Sequence, residues 1–208
     1  MKKAIVVLIM AALAVVPAAA AGRFNLTGGY AHGLNAKIGG GFAAALSYEI
    51  SIARGFSFEI GASYAQLKAE DNPVGLRTGI VRLVPIEVGL RGRLPLGKYI
   101  VLYAGAGAGL ALPFSSIDSA LEEKWAAIGF SITEKLNPGF SASARCGLEV
   151  VLTSQMRLVL EAGYRFLRAG GSWTISDNLG SDSAEGTFSG LNLDSAFGGL
   201  GLSFSFGQ

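Results

Sequence analysis

Apolar side chains recur at every second position through most of the chain. In residues 56–64, for example, Phe56, Phe58 and Ile60 fall on one face, while Ser57 and Glu59 fall on the other. A period of two is typical of a β-strand with two different surroundings. Eight segments show this pattern, and they cover residues 23–33, 41–51, 55–67, 80–94, 99–112, 139–153, 156–169 and 191–207.

The connections between these segments alternate in length. Residues 52–54, 95–98 and 154–155 form short turns, whereas residues 34–40, 68–79, 113–138 and 170–190 form longer and more polar loops. Short turns on one rim and long loops on the other are typical of transmembrane β-barrels, where they face the periplasm and the cell exterior. The pattern predicts an all-β fold: an eight-stranded antiparallel transmembrane β-barrel with short periplasmic turns and longer extracellular loops.

A soluble barrel would show the same period with its two faces exchanged. The apolar faces, however, carry almost no polar side chains over about ten residues, which makes a poor surface for water. Half of all residues are hydrophobic and only 15% are charged. We therefore expect the apolar faces to contact lipid.

The first residues have the order of a secretory signal peptide. Lys2 and Lys3 precede an uncharged apolar run from Ala4 to Val16, and small residues follow up to Gly22. The run is shorter than the roughly 20 residues that a spanning helix needs. This predicts a signal peptide over residues 1–21 and one barrel domain over residues 22–208.

Charged residues of both signs fall on the face opposite the apolar one, which the barrel model places in the lumen. Because an unpaired buried charge is costly, equal numbers of acids and bases favour a network of ion pairs that fills the lumen. A polar track for ions or protons is the alternative. The predicted lumen network consists of Glu49, Glu59, Glu87, Arg91, Arg93, Arg145, Glu149, Arg157, Glu161 and Arg165.

Apolar residues at helical spacing occur within the third long loop. They are Ile117, Leu121, Trp125 and Ile128. Such spacing predicts a short amphipathic helix, which would cap the mouth of the barrel or lie at the membrane surface.

No arrangement of residues points to a cofactor, a metal or nucleic acid. The net charge is only +2 and the basic residues are scattered, which argues against nucleic-acid binding. The acids of the last loop, Asp177, Asp182 and Glu185, do not have the spacing of a calcium loop. The single cysteine, Cys146, lies on the apolar face and is expected to act as a small apolar residue.

These features together resemble the small outer-membrane β-barrel family of Gram-negative envelopes, with its OmpA-, OmpX- and OmpW-type members. The resemblance rests on the signal peptide, the hairpin rhythm, the segment "LPLGKYIVLYAGAGAGL" and the closing "AFGGLGLSFSF". It implies export to the periplasm, insertion by the barrel assembly machinery, and a place among outer-membrane lipid and lipopolysaccharide. Members usually end on an aromatic residue, whereas here Phe206 is followed by Gly207 and Gln208.

The resemblance also limits the expected function. Lipid A deacylases of this shape use a histidine with a serine two residues later, but the only histidine, His32, is followed there by Leu34. We therefore expect a non-enzymatic protein with a structural or surface-interaction role, which binds an external ligand through its extracellular loops. The first alternative is an OmpW-like conduit for small hydrophobic molecules, and the second is a lipid-modifying enzyme.

Overall fold

The fold was described in a computed structural model, which places residues 22–35, 37–70, 78–177 and 183–206. The predicted signal peptide, residues 1–21, lies outside these described residues. The described part forms ten strands and one helix, α1 (Ser119–Ala127). The strands are β1 (Gly22–Gly33), β2 (Gly40–Ala53), β3 (Phe56–Glu70), β4 (Thr78–Pro95), β5 (Ile100–Ile117), β6 (Phe130–Leu136), β7 (Gly139–Val151), β8 (Met156–Asp177), β9 (Ser183–Asn192) and β10 (Ser195–Phe206).

Eight of the strands close into a ring. Each pairs antiparallel with the next in the order β1, β2, β3, β4, β5, β7, β8 and β10, and β10 pairs back to β1. Following the paired residues once round the ring from Arg168 leads back to Leu158 on the same strand, a shift of ten residues. Such a stagger is what tilts the strands of a closed barrel. The predicted eight-stranded barrel is therefore confirmed.

The short rim is built from tight turns between long strands. The β2–β3 turn contains Gly55 at a φ of 79°, and the β4–β5 turn contains Gly97 at a φ of 100°. Glycine suits these two positions because other residues seldom adopt positive φ. The first residue of β1 and the last of β10 pair at this same rim, which is the periplasmic one.

The opposite rim differs from the prediction. Residues 113–138 and 170–190 were expected to be loops, but β5 continues to Ile117 and β8 continues to Asp177. Beyond the ring, β6 and β9 pair with opposite edges of β8 and form a three-stranded sheet, called the outer sheet below. Strand pairing there satisfies backbone polar groups that a loop would leave to water.

The outer face of the ring is apolar and open. Leu90, Leu110 and Leu200 are each more than half exposed, and they lie on three different strands. A large continuous apolar surface of this kind requires a lipid environment. Aromatic side chains occur near both ends of this band, among them Tyr30 and Tyr164 on the outer side and Phe56 and Phe206 on the periplasmic side.

The inside of the barrel has two layers of different chemistry. On β8, Arg157, Glu161 and Arg165 face inward in the periplasmic part, and Leu167 and Ala169 follow in the outer part. We call the charged part the ionic layer and the other the apolar layer. The buried side chains of the apolar layer are Ala31, Ile38, Ala65, Leu67, Val81, Leu83, Ala111, Leu136, Leu167, Ala169 and Leu193. The expectation that the lumen is charged rather than hydrophobic is therefore wrong for its outer half.

Candidate functional site: the lumen and its outer rim

Arg91 lies at the centre of the ionic layer. Its guanidinium is 3.1 Å from Glu49, 3.2 Å from Glu59 and 3.5 Å from Glu161. The same group stacks 4.5 Å from the centre of the Tyr103 ring, and the Tyr103 hydroxyl donates to Glu161 at 2.9 Å. Only 2% of the Arg91 side chain is exposed. Four strands thus converge on one buried cation.

A second group of charges lies nearer the periplasmic rim. Arg93 donates to Glu149 at 2.8 Å, lies 2.6 Å from Glu49, and donates to the Ser57 hydroxyl at 2.9 Å. Arg157 lies 2.8 Å from the other carboxylate oxygen of Glu149. Because Glu149 is fully buried, it depends on these guanidinium groups for its charge to be tolerated.

Two participants were missed by the sequence analysis. Arg23, at the start of β1, lies 3.4 Å from Glu149 and adds a sixth base to the five expected. Asn25, on the same face of β1, donates to Glu49 at 2.5 Å. Both residues have odd numbers, as do the ten predicted lumen residues. The same two-residue period could therefore have assigned them to the inner face of β1.

The remaining charges lie where the ionic layer meets the apolar layer. Arg145 is 3.1 Å from Glu59, and Arg165 is 3.5 Å from Glu87. Glu87 also accepts hydrogen bonds from the hydroxyls of Ser141 and Ser143. All ten predicted lumen residues therefore lie inside the barrel, each within ion-pair distance of a residue of opposite charge.

A small cavity occupies the boundary between the two layers. Its volume is about 50 Å³, and its lining includes Glu87 and Arg165 from one layer and Ala43 and Phe197 from the other. Such a volume holds only a few water molecules.

Aromatic rings in the lumen are seated on glycines of the neighbouring strand. Tyr103 pairs directly with Gly147, and Phe197 pairs directly with Gly163. In both pairs, a methyl group on the glycine would collide with the ring. Glycine at these positions lets a large side chain lie flat against the wall, which helps to fill the lumen.

The wall of the barrel contains a seam at its outer end. Pairing between β5 and β7 ends at Ala111 and Gly139, and residues 112–117 of β5 pair only with β4. β6, which precedes Asn137–Pro138 in the chain, pairs with β8 and not with β5. The edges of β5 and β6 therefore face each other without a ladder, and the buried residues beside this seam are apolar.

The predicted mouth helix is present but shorter and differently placed. Of its four predicted residues, Leu121 and Trp125 lie in α1, whereas Ile117 belongs to β5 and Ile128 follows the helix. No residue of α1 is buried, and Trp125 packs edge-on against Phe130 of β6. The buried apolar side chains at the outer end of the lumen belong to the apolar layer and not to this helix.

The break between β9 and β10 is stabilised by Asp194. Its carboxylate accepts hydrogen bonds from the Leu167 backbone N–H and the Tyr164 hydroxyl, each at 2.9 Å, and from Arg168. Burial alone would raise the pKa of Asp194, but these donors outweigh it and hold the pKa below its ordinary value. Asp194 therefore joins the outer sheet to the ring as a carboxylate.

Residues considered for catalysis or metal binding are dispersed. His32 is exposed and faces away from the lumen, and Cys146 is an exposed free thiol on the lipid-facing side. Asp177 ends β8, Glu185 is exposed on β9, and Asp182 lies outside the described residues. Within the described ranges, no group of three possible metal ligands occurs. Among the same residues, no helix is long and apolar enough to cross a membrane.

A closed ring with a lipid-facing apolar surface and a charged, side-chain-filled interior defines an integral β-barrel of the outer membrane. Residues 4–206 match the model of the outer membrane protein beta-barrel domain family. The chain belongs to this family and is an outer-membrane protein of the Gram-negative envelope. No curated protein matches the chain.

Solved structures of low sequence identity share the fold. OprG from Pseudomonas aeruginosa is 15% identical, with 91% of this chain and 98% of that chain covered at a TM-score of 0.63. AlkL, solved by solid-state NMR in DMPC bilayers, is 16% identical, with 91% and 92% covered at a TM-score of 0.51. The Escherichia coli outer membrane protease OmpT is 12% identical, with 81% and 65% covered at a TM-score of 0.51. These similarities show the fold alone.

Proposed function

We propose that this protein is a closed, non-enzymatic barrel that carries an interaction surface to the cell exterior. The observation that carries the proposal is the combination of a filled lumen with strands that continue beyond it. Arg91 and Glu149 of the ionic layer are almost completely buried, and Leu83 and Leu167 of the apolar layer are fully buried. An interior filled in this way does not favour a pore. The strands that continue beyond the ring instead hold an ordered surface outside the membrane.

The interaction surface consists of the outer sheet and α1. The side of β6 that faces away from the barrel carries Ser131, Thr133 and Lys135, all exposed. Thr187 and Ser189 of β9 are exposed as well. A polar, ordered sheet projecting from a rigid base presents its side chains in a fixed arrangement, which suits recognition of a large external ligand.

The test is retention of cells on defined surfaces. A Gram-negative host producing the full chain is applied to immobilised extracellular-matrix proteins and polysaccharides. Replacing residues 118–129 by a Gly-Ser linker of equal length is expected to abolish retention on the surface that holds the parent cells. The same treatment of turn residues 96–99, at the periplasmic rim, is the control and should leave retention unchanged.

The proposal would be overturned by a parent strain that is retained on none of these surfaces. It would also fail if both replacements reduced retention equally. Gel mobility before and after heating shows in each case whether the barrel has folded.

A conduit for small apolar molecules is the second candidate, and the β5–β6 seam favours it. The apolar layer lies next to this seam, so an apolar molecule entering from outside could leave sideways into the membrane without crossing the ionic layer. Such a route should be narrowed by Ala111→Phe, since Ala111 is fully buried at the foot of the seam. Ala104→Phe, on the lipid face of the same strand, is the control.

The measurement is the uptake of an apolar fluorescent dye into proteoliposomes. Slower uptake with Ala111→Phe, but not with Ala104→Phe, would support the conduit. Equal uptake with the parent, both variants and protein-free vesicles would exclude it.

A further inference from the structure

The cavity between the ionic layer and the apolar layer exists because small residues line one side of it. They occupy inward-facing positions of four neighbouring strands, β10, β1, β2 and β3, and they are Gly199, Gly29, Ala43, Ala45 and Gly61. These residues leave a space of about 50 Å³ at a height where the other side of the lumen is charged. A volume of this size holds a few water molecules, or one small ion with water.

Two guanidinium groups line the cavity from β7 and β8. Arg145 and Arg165 each have a buried Nε–H without a hydrogen-bond partner among the described residues. Arg145 uses Nη1 for Glu59 at 3.1 Å, whereas Arg165 Nε lies 3.5 Å from Glu87, an ion-pair distance without the geometry of a hydrogen bond. A buried donor without an acceptor is costly. The cavity is therefore bordered by two donors that need an acceptor.

The two carboxylates that line the cavity are bound by other donors. Glu87 accepts from the hydroxyls of Ser141 and Ser143. Glu161 accepts from the Tyr103 hydroxyl at 2.9 Å and lies 3.5 Å from the central arginine of the ionic layer. None of these donors belongs to the cavity lining. The carboxylates thus face other parts of the network and leave both Nε–H groups without an acceptor.

Hydroxyl groups border the cavity from the side of the small residues. Ser63 accepts from Arg165 Nη2 at 2.8 Å, which leaves its own O–H available as a donor. Thr27 pairs with Ala45, and Ala45 pairs with Ser63, so the two hydroxyl residues lie on either side of a single alanine. Donors therefore border the space from both sides.

The charge count of the ionic layer points in the same direction. The predicted network has five arginines and five glutamates, and Arg23 makes six cations against five anions among the described inward-facing residues of the ring. One monovalent anion within this layer would make the two numbers equal.

We propose that the cavity binds one small monovalent anion of the halide type. Its ligands are the Nε–H groups of Arg145 and Arg165 and the hydroxyls of Ser63 and Thr27. An anion accepts charge-assisted hydrogen bonds from all four and brings no donor of its own, whereas water would add two donors to a space already bordered by them. The site belongs to the lumen and does not depend on the function proposed for the outer sheet.

The experiment follows the unfolding of the refolded full chain by urea in vesicles of a neutral lipid. Chloride replaces gluconate at constant ionic strength, and gluconate is too large for a cavity of about 50 Å³. The variant is Ser63→Ala combined with Thr27→Val, which leaves every charge in place. The matched control is Ser131→Ala combined with Thr133→Val, at exposed positions of β6.

We expect chloride to raise the unfolding midpoint of the parent until the effect saturates, because a ligand that binds only the folded state stabilises it. Each lost hydrogen bond to a charged ligand weakens binding about tenfold, so the double variant should bind chloride roughly 100-fold more weakly. The control should respond to chloride as the parent does. The titration also reports a site that fills only during folding, since chloride is present throughout.

Crystals of the parent grown in bromide give the position of the anion. Anomalous scattering should show a bromide ion in the cavity, within hydrogen-bond distance of both Nε atoms.

Three results would overturn the site. One is the same unfolding midpoint of the parent in chloride and in gluconate. Another is an equal response to chloride in the parent and the double variant, which would indicate a general effect of the salt. The third is bromide bound at the protein surface but not in the cavity. Because the comparison of the two anions uses the parent, it remains decisive even if the double variant fails to fold.

Discussion

Replacing Arg91 by leucine should remove the central support of the ionic layer. Three carboxylates depend on this guanidinium, and they differ in what they keep after its loss. Glu49 keeps Arg93 at 2.6 Å, and Glu59 keeps Arg145 at 3.1 Å. Among the described residues, Glu161 keeps the Tyr103 hydroxyl at 2.9 Å but no cation within ion-pair distance. The variant therefore leaves this buried carboxylate without a direct ion pair in the described part of the chain.

The expected loss in the free energy of unfolding follows from these remaining contacts. Removing one partner of a buried ion pair costs about 3–5 kcal/mol, mainly because the remaining charge stays buried. We expect Arg91→Leu to lie within that range. Adding Glu161→Gln should recover part of the loss, since it removes the charge that was left behind. The two substitutions are thus expected to be non-additive.

Arg23→Leu is the matched control at the edge of the same layer. The Arg23 side chain is 16% exposed and makes one contact of 3.4 Å, to a carboxylate that keeps Arg93 and Arg157. Its loss should cost about 1 kcal/mol or less, as for a partly solvated pair. Equilibrium unfolding in urea, followed by tryptophan fluorescence in lipid vesicles, gives both values. Similar costs for the two leucine variants would refute the assignment of Arg91 as the central support.

Two further substitutions test the packing of the wall and the junction of the outer sheet. Gly147→Ala should destabilise the barrel by about 1–3 kcal/mol, because its methyl group would collide with the Leu160 backbone carbonyl and the Tyr103 ring, whereas Gly28→Ala has open space and should be nearly neutral in the same urea titration. Asp194→Asn should cost about 1 kcal/mol, a modest value because water screens the 37% exposed Arg168. Since the folded-state pKa of Asp194 is lowered, its contribution exists above about pH 4 and is lost as the pH falls through the folded pKa. The difference in unfolding midpoint between the parent and Asp194→Asn should be smaller at pH 3 than at pH 7. The same difference at both pH values would contradict this reasoning.

The sequence predicted the ring well because its two faces meet different surroundings. Glu87 and Arg91 alternate with Ile86, Val88 and Leu90, so a period of two identifies both the strand and its inner face. The ten charged lumen residues follow from that rule. Their partners do not, because the stagger of the ring decides which strands meet across the lumen.

The outer half was harder to predict because both of its faces are apolar. Along β4, Val81 and Leu83 point inward while Ile80 and Val84 point outward, so alternation gives no contrast. The outer sheet was missed for a second reason. Asn137–Pro138 interrupts the ladder of β7, and Gly190, at a φ of 72°, lies beside a register shift in the pairing of β9 with β8. Such breaks resemble loops in a sequence even where strands continue beyond them.

The most direct test of the closed lumen is single-channel recording on the purified, refolded protein in a planar bilayer. With the ionic and apolar layers packed as described, we expect no discrete openings in the parent. Stable, discrete conductance in the parent protein would contradict a lumen filled by side chains.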